Sequence, residues 1–280
     1  MADALTIVTQ SYVENMETVG THKIIKDVGI NSLRLHLIGT IFRRADRHGK
    51  WLLLRFQSPE PNGSFSTLCI HNSMHGHIRI FMEEDFIPHK HDRFMFTVSN
   101  LNEETRRVVV VYRDIRCWGQ IHLYREEYEE RPKFLRELGR DTLLQYIDGP
   151  ELWDIFKKYP EKAIGNLLLR QDLVAGIGNI YRSEILYHAK ILPERWVQDI
   201  TVSEWAGLAV QMYNVLEVAH RMGGSSVADF ENPSGNPGRA QNGHLVYGRA
   251  GQQCLTCKTG EIKVELMSKR KIFFCRLCQT

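Results

Sequence analysis

The sequence has no long hydrophobic run. Its most apolar stretches, such as Val108 to Tyr112, are far too short to cross a bilayer, which takes about 18 or more consecutive apolar residues. Nor does it open on a basic segment followed by an apolar core, the pattern of an export signal. Both absences lead to the expectation of an intracellular, cytoplasmic protein with no membrane partner. A strong excess of one charge is also missing. The net charge is +3 and the sequence pI about 8.5, a balance that permits a polyanionic partner without demanding one. No internal repeat is visible, so a solenoid is not expected. Cysteine is scarce outside the C-terminus: of six, only Cys69 and Cys117 stand apart, and the other four form two C-x-x-C couples. That distribution reads as metal binding in a reducing compartment, not as a disulfide framework.

What the chain does contain is enough for two cores. At 280 residues, 43% hydrophobic and 25% charged, it has the composition of an ordinary globular protein larger than one typical domain. From Lys23 to about Leu123 short β-branched or alternating runs recur: Leu33 to Ile41, Trp51 to Phe56, Ser66 to Ile70, His77 to Met82, Arg93 to Val98 and Arg106 to Arg113. The turn-rich stretch Ser58-Pro59-Glu60-Pro61-Asn62-Gly63 separates two of them, as in an all-β sandwich or barrel. A helix-like segment from about Leu5 to Val19 precedes these runs, and the charged stretch Arg125 to Arg140 follows them as a linker.

Beyond Asp141 the apolar spacing changes to three and four residues, as in the series Leu143, Leu144, Ile147, Leu152, Ile155 and Phe156. A helix over Lys162 to Arg170, a tight break at Gly176-Ile177-Gly178-Asn179 and a helix over Ile180 to Ala189 would place two helices about a glycine turn. Gly223 to Gly243, rich in Gly, Ser, Asn and Pro, reads as a loop. The expected architecture is α+β, in three parts. Residues 1–134 form a β-sandwich with a leading helix, residues 135–245 a helical helix-two-turn-helix domain with its loop, and residues 246–280 a zinc ribbon.

The ribbon carries the most specific chemistry. Cys254-x2-Cys257, seventeen intervening residues, then Cys275-x2-Cys278, is the spacing of two knuckles clasping one tetrahedral, structural Zn2+ ion. Between the couples, Ile262 to Leu266 and Lys271 to Phe274 have the content of a β-hairpin, and Lys269, Arg270 and Lys271 cluster at its turn. Three cations at a rigid tip suit phosphate contacts, although taken alone they also read as a solvated charged turn.

Several segments together resemble the formamidopyrimidine-DNA glycosylase and endonuclease VIII (Fpg/Nei) family of repair enzymes: Arg47 to Leu53, Ile70 to Gly76, Asp114 to Gly119, Gly149-Pro150-Glu151, Leu168 to Leu186 and Val246 to Gln279. The resemblance spans nearly the whole chain and implies a monomeric enzyme. Its two domains would hold damaged or abasic duplex DNA in a cleft, the target nucleotide rotated out of the stack. It further implies that Met74, Arg116 and Trp118 fill the gap left by that nucleotide, and that Asn179 and Arg270 grip flanking phosphates. Read from the residues alone, Met74 and Trp118 would be core positions.

The opening residues depart from the family pattern. Where the family begins Pro-Glu, this chain reads Met1-Ala2-Asp3-Ala4, and gap-free registration back from Gly20 puts Ala2 at the proline position and Asp3 at the glutamate. An α-amine has a pKa of about 7.7–8.0, so an exposed Ala2 amine would be a better nucleophile near neutrality than an unperturbed lysine. A retained Met1 would displace that amine by about 3.8 Å. Lys50 matches the family lysine that supports strand cleavage. The expected site is therefore Ala2, Asp3 and Lys50 for catalysis, with Met74, Arg116, Trp118, Asn179 and Arg270 on DNA. The alternative is a family member without chemistry that binds damaged DNA or a structured RNA such as ribosomal RNA.

Overall fold

A computed structural model describes the chain except Met1, Thr21, Leu101, Asn102, Glu127–Glu129 and Val227–Phe230. It divides into two compact units, Met1–Arg136 with Ser226–Gly238, and Glu137–Ser225 with Arg239–Thr280. No helix among the described residues is long and apolar enough to cross a membrane.

In the first unit a 3-10 turn, Asp3–Val8, leads into β1 (Ser11–Thr18), followed by α1 (Ile30–Leu37), β2 (Ile41–His48) and β3 (Trp51–Gln57). Five strands complete it: β4 (Phe65–His71), β5 (Gly76–Met82), β6 (Asp92–Asn100), β7 (Glu103–Asp114) and β8 (Gln120–Arg125). All eight join in one antiparallel sheet, ordered β5-β7-β6-β1-β2-β3-β4-β8. In that order β6 and β3 lie three strand spacings apart, about 14 Å in a flat sheet, yet the Phe56 and Phe96 rings are 5.7 Å apart. The sheet must fold over on itself. It does so where β1 meets β2, which pair only through Ser11↔Phe42 and Tyr12↔Ile41. The result is the expected sandwich, its core filled by Phe42, Phe56, Phe94, Phe96, Leu54 and Leu68.

Two expectations fail in this unit. The segment expected to be a leading helix holds only the 3-10 turn and then a strand: Ser11, Val13 and Met16 are buried and Tyr12 and Glu14 are not, an alternation resting on β-forming Tyr, Val and Thr. The run Leu33 to Ile41, expected to be a strand, is mostly α1. Leu33 and Leu37 are one helical turn apart and both buried, whereas Leu35, which a strand would place on their face, is 78% exposed. The supposed linker is also tied down, because Phe134 in α2 (Lys133–Arg136) stacks on Trp51 at 4.2 Å.

The second unit runs through β9 (Arg140–Asp141), α3 (Gly149–Phe156), α4 (Ile164–Leu167), β10 (Val174–Ala175), α5 (Asn179–His188) and α6 (Val202–Arg221). It ends in the hairpin β11 (Lys263–Met267) and β12 (Arg270–Phe274). Capping boxes open α3 (Asp148 with Glu151, Pro150 in the first turn) and α6 (Thr201 with Glu204). The helix expected over Lys162 to Arg170 shrinks to the single turn α4, with Gly165 and Asn166, both poor helix formers, at its centre. Its first amides are held from outside, Ile164 N–H by Arg195 O and Gly165 N–H by Pro193 O. The break before α5 falls at Gly176, whose φ of +100° suits glycine alone. Ile272 and Phe274 of the hairpin are buried in the same core as Leu152, Phe156, Ile185 and Leu208, so the ribbon packs as part of the helical unit.

Candidate nucleic-acid interface and metal centre

Four of the expected site residues meet at one edge of the first unit, and the sheet registers explain how. β5 pairs with β7 through Gly76↔Asp114, and β4 with β8 through His71↔Gln120. The two connections between these pairs, residues 72–75 and 115–119, therefore leave the sandwich side by side. The first carries Met74, 66% exposed; the second carries Arg116 and Trp118, with Trp118 50% exposed. The Arg116 guanidinium lies 4.9 Å over the Trp118 ring, and His75 meets the same ring edge-on at 6.1 Å. Lys50, in the turn between β2 and β3, lines a cavity of about 180 Å³ with His71, Asn72, Ser73, Met74 and Gly76. Burial, and then the Lys50 charge, hold the His71 imidazole below its ordinary pKa.

Asp114 holds the second loop in shape. Fully buried, its carboxylate accepts the backbone N–H groups of Arg116 (3.0 Å), Cys117 (3.1 Å) and Gly119 (2.8 Å). Position 119 must be glycine, because a Cβ there would sit 1.7 Å from the Tyr112 hydroxyl. Ala2 and Asp3 belong to the same unit. Ala2 is half-buried against the sandwich core, its carbonyl accepting Leu5 N–H at 3.0 Å, and Asp3 is exposed. Neither lines the Lys50 cavity.

In the second unit Asn179 opens α5 and Arg270 opens β12. The Asn179 amide donates to Lys271 O at 2.9 Å, stitching the helix end to the hairpin. Lys269, Arg270 and Lys271 are exposed at the tip, where Ser268 and Lys269 take positive φ as a two-residue turn requires. Two residues behind this arrangement escaped the sequence reading. Arg182 is fully buried and donates to Asn179 Oδ1 at 2.7 Å. Glu184 accepts the N–H groups of Leu245, Val246 and Tyr247 at 2.7–3.0 Å, anchoring the chain that enters the ribbon. Arg182 had a legible signal, one helical turn after Asn179 on the same face.

The four cysteines converge, their sulfurs all within 4.8 Å of one another. Cys254 and Cys278 Sγ are 3.6 Å apart and Cys257 and Cys275 Sγ 3.8 Å. These separations far exceed a disulfide's about 2.05 Å. They match the edge, about 3.8 Å, of a sulfur tetrahedron around an ion at about 2.3 Å. Backbone N–H groups around Thr259 and Gly260 hold the Cys257 thiol down at about 6, whereas burial pushes Cys278 up to about 12. Tyr187 Oη reaches the cluster from α5, 3.1 Å from Cys254 Sγ. This donor set can hold a metal ion.

Two family descriptions match the chain. Residues 3–121 match the Formamidopyrimidine-DNA glycosylase N-terminal domain, and residues 138–231 the Formamidopyrimidine-DNA glycosylase H2TH domain. The chain is 30% identical over 268 residues to the formamidopyrimidine-DNA glycosylase of Wolbachia pipientis subsp. Culex pipiens, covering 92% of this chain and 93% of the relative. It is 32% identical over 263 residues to that of Halalkalibacterium halodurans, covering 93% and 90%. Among solved structures it is similar to Lactococcus lactis Fpg in complex with abasic-site DNA. That match has a TM-score of 0.85 at 27% identity, covering 100% of this chain and 96% of the other. The same protein with Fapy-dG-containing DNA gives 0.84 at 27% identity, covering 100% and 97%.

Proposed function

The chain belongs to the formamidopyrimidine-DNA glycosylase family, and from that premise we propose that it is a base-excision glycosylase and abasic-site lyase acting on damaged duplex DNA. The observation that carries this reading is the edge where Met74, Arg116 and Trp118 stand exposed beside the Lys50 cavity. Exposed Met and Trp are costly to leave in water, and a flipped nucleotide leaves an apolar gap for them to fill. Asn179 and Arg270 supply phosphate donors from the other unit, and the cysteine cluster holds a structural zinc ion that fixes the hairpin.

The chemistry proposed is Schiff-base formation. An unprotonated amine adds to C1′ of the opened sugar, water leaves, and the resulting iminium acidifies C2′–H; loss of that proton expels the 3′ phosphate. Ala2, once Met1 is removed, supplies the α-amine, Asp3 moves the proton, and Lys50 stands by as phosphate ligand or second amine. Met1 itself lies outside the described residues.

One observation favours a second reading, a binder of damaged DNA or structured RNA without chemistry: the chain reads Met1-Ala2-Asp3-Ala4 where the family begins Pro-Glu. Borohydride trapping on abasic duplex, followed by mass analysis of the adduct, separates the two. The first reading expects an adduct on Ala2, or on Lys50 if Met1 is retained. No adduct, with duplex binding intact, would leave the second; a preference for folded RNA over abasic duplex would remove repair altogether.

A further inference from the structure

Arg182 is the largest fully buried side chain among the described residues, at 0% exposure. A guanidinium cannot shed its proton at any ordinary pH, so burying it leaves a charge that something must answer. Here nothing does. Its partners are neutral oxygens: Gly165 O at 3.1 Å, Asn179 Oδ1 at 2.7 Å and Lys271 O at 3.4 Å. Its Nε has no partner. Glu184, two residues on, is occupied by three backbone amides. Other arginines of the second unit have acids within reach: Arg140 pairs with Glu151, Arg170 with Asp172, Arg195 with Glu204 and Arg276 with Glu265. Arg182, by contrast, has Arg270 as its charged neighbour, and burial with that like charge pulls its pKa down to about 10.

Asn179, on which Arg182 closes, begins a ten-residue helix that has no side-chain cap. Its Oδ1 accepts from Arg182 and one Nδ2 proton goes to Lys271 O, which leaves the second Nδ2 proton and the first-turn amides of α5 for an outside acceptor. We propose that Arg182 is the buried positioning residue of the phosphate seat already assigned to Asn179 and Arg270 at the α5 N-terminus: it holds the Asn179 amide in place for one phosphodiester group. Arg182 fixes the Asn179 amide in the orientation that presents its free N–H, and supplies the charge that a bound phosphate neutralises. Identifying the anion as part of a DNA strand rests on the function proposed above; the seat itself does not.

The test uses the full zinc-loaded chain and Arg182→Met and Arg182→Lys variants, with two readouts. The first is the gain in melting temperature on replacing chloride by inorganic phosphate at matched ionic strength. The wild type gains, Arg182→Met does not, and Arg182→Lys keeps part of the gain. The second is duplex affinity against salt, where neutralising one phosphate contact lowers the slope of log K on log salt by about 0.9. Arg182→Met loses that increment. Arg182→Lys retains it, while its affinity drops about tenfold as Asn179 loses its bidentate-capable partner. A merely structural arginine would lower every melting temperature equally with and without phosphate and leave the slope alone, and that result overturns the proposal. Should Arg182→Met fail to fold, an Arg182→Lys variant with wild-type affinity overturns it equally. Phosphate stabilisation that depends on Arg182, in a protein that binds no duplex, would uphold the seat and remove the proposed function instead.

Discussion

The Lys50 cavity is a place where one charge sets the state of its neighbour. His71 is held below its ordinary pKa first by burial and then by Lys50, and its Nδ1 accepts the Ser73 N–H at 3.2 Å. That hydrogen bond needs an unprotonated Nδ1, and it braces the turn that carries Met74. Because the folded pKa lies below the unfolded value of about 6.5, the neutral ring stabilises the fold fully above that value. The contribution is lost as pH falls through the depressed folded pKa. An NMR titration of the His71 ring should therefore give a midpoint below 6.5, and Lys50→Met should move it part of the way back. Burial remains in the variant, so the return is incomplete. An unchanged midpoint would mean that the Lys50 ammonium does not face this cavity. None of this coupling was legible in the sequence, where His71 and Lys50 are 21 positions apart and only the β3–β4 register, Trp51↔His71, brings them together.

At the scale of elements, α1 shows why a short apolar run can be misread. Leu33-Arg34-Leu35-His36-Leu37-Ile38 satisfies both a two-residue and a three-to-four-residue period. Only the cost of leaving Leu35 outside separates them. The helix predicts unequal leucines: Leu33→Ala should destabilise the first unit by about 2–5 kcal/mol, and Leu35→Lys should stay within about 0.5 kcal/mol. Equal losses at both positions in urea unfolding would restore the strand. The six strand runs read from the sequence otherwise include five that lie within β3 to β7, because each has β-branched or aromatic residues bounded by turn formers. Strands β1 and β2 carry charge or Asn in their interiors, as in Arg43-Arg44-Ala45-Asp46-Arg47 of β2, and their pairing is decided by neighbours rather than by local preference. Met74, Arg116 and Trp118 could be grouped from the sequence only through family resemblance, since exposure of Met74 and Trp118 follows from loop geometry that no local pattern encodes.

For the whole molecule, the cysteine spacing was legible and its reach was not. Ile272-Phe273-Phe274 reads in sequence as an uninterrupted apolar run, yet in β12 its residues alternate between two cores. Ile272 and Phe274 enter the helical core with Ile185 and Leu208, while Phe273 faces Cys254, Cys275 and Val246. Tyr187 ties α5 to the same cluster through Cys254 and Thr256. A metal ion held by the four cysteines would therefore support the second unit as a whole and not the ribbon alone. Structural zinc in small fingers supplies about 10–16 kcal/mol at neutral pH, comparable with the about 5–15 kcal/mol that holds an entire domain. Stripping the metal with a strong chelator under reducing conditions should consequently raise hydrogen exchange in α5 and α6 along with β11 and β12. Amides of β3 and β4, whose core is built from the first unit alone, should keep their protection. Exchange confined to residues 246–280 would show that the ribbon is energetically separate. Equal loss across the β3 and β4 amides would show that the two units unfold as one.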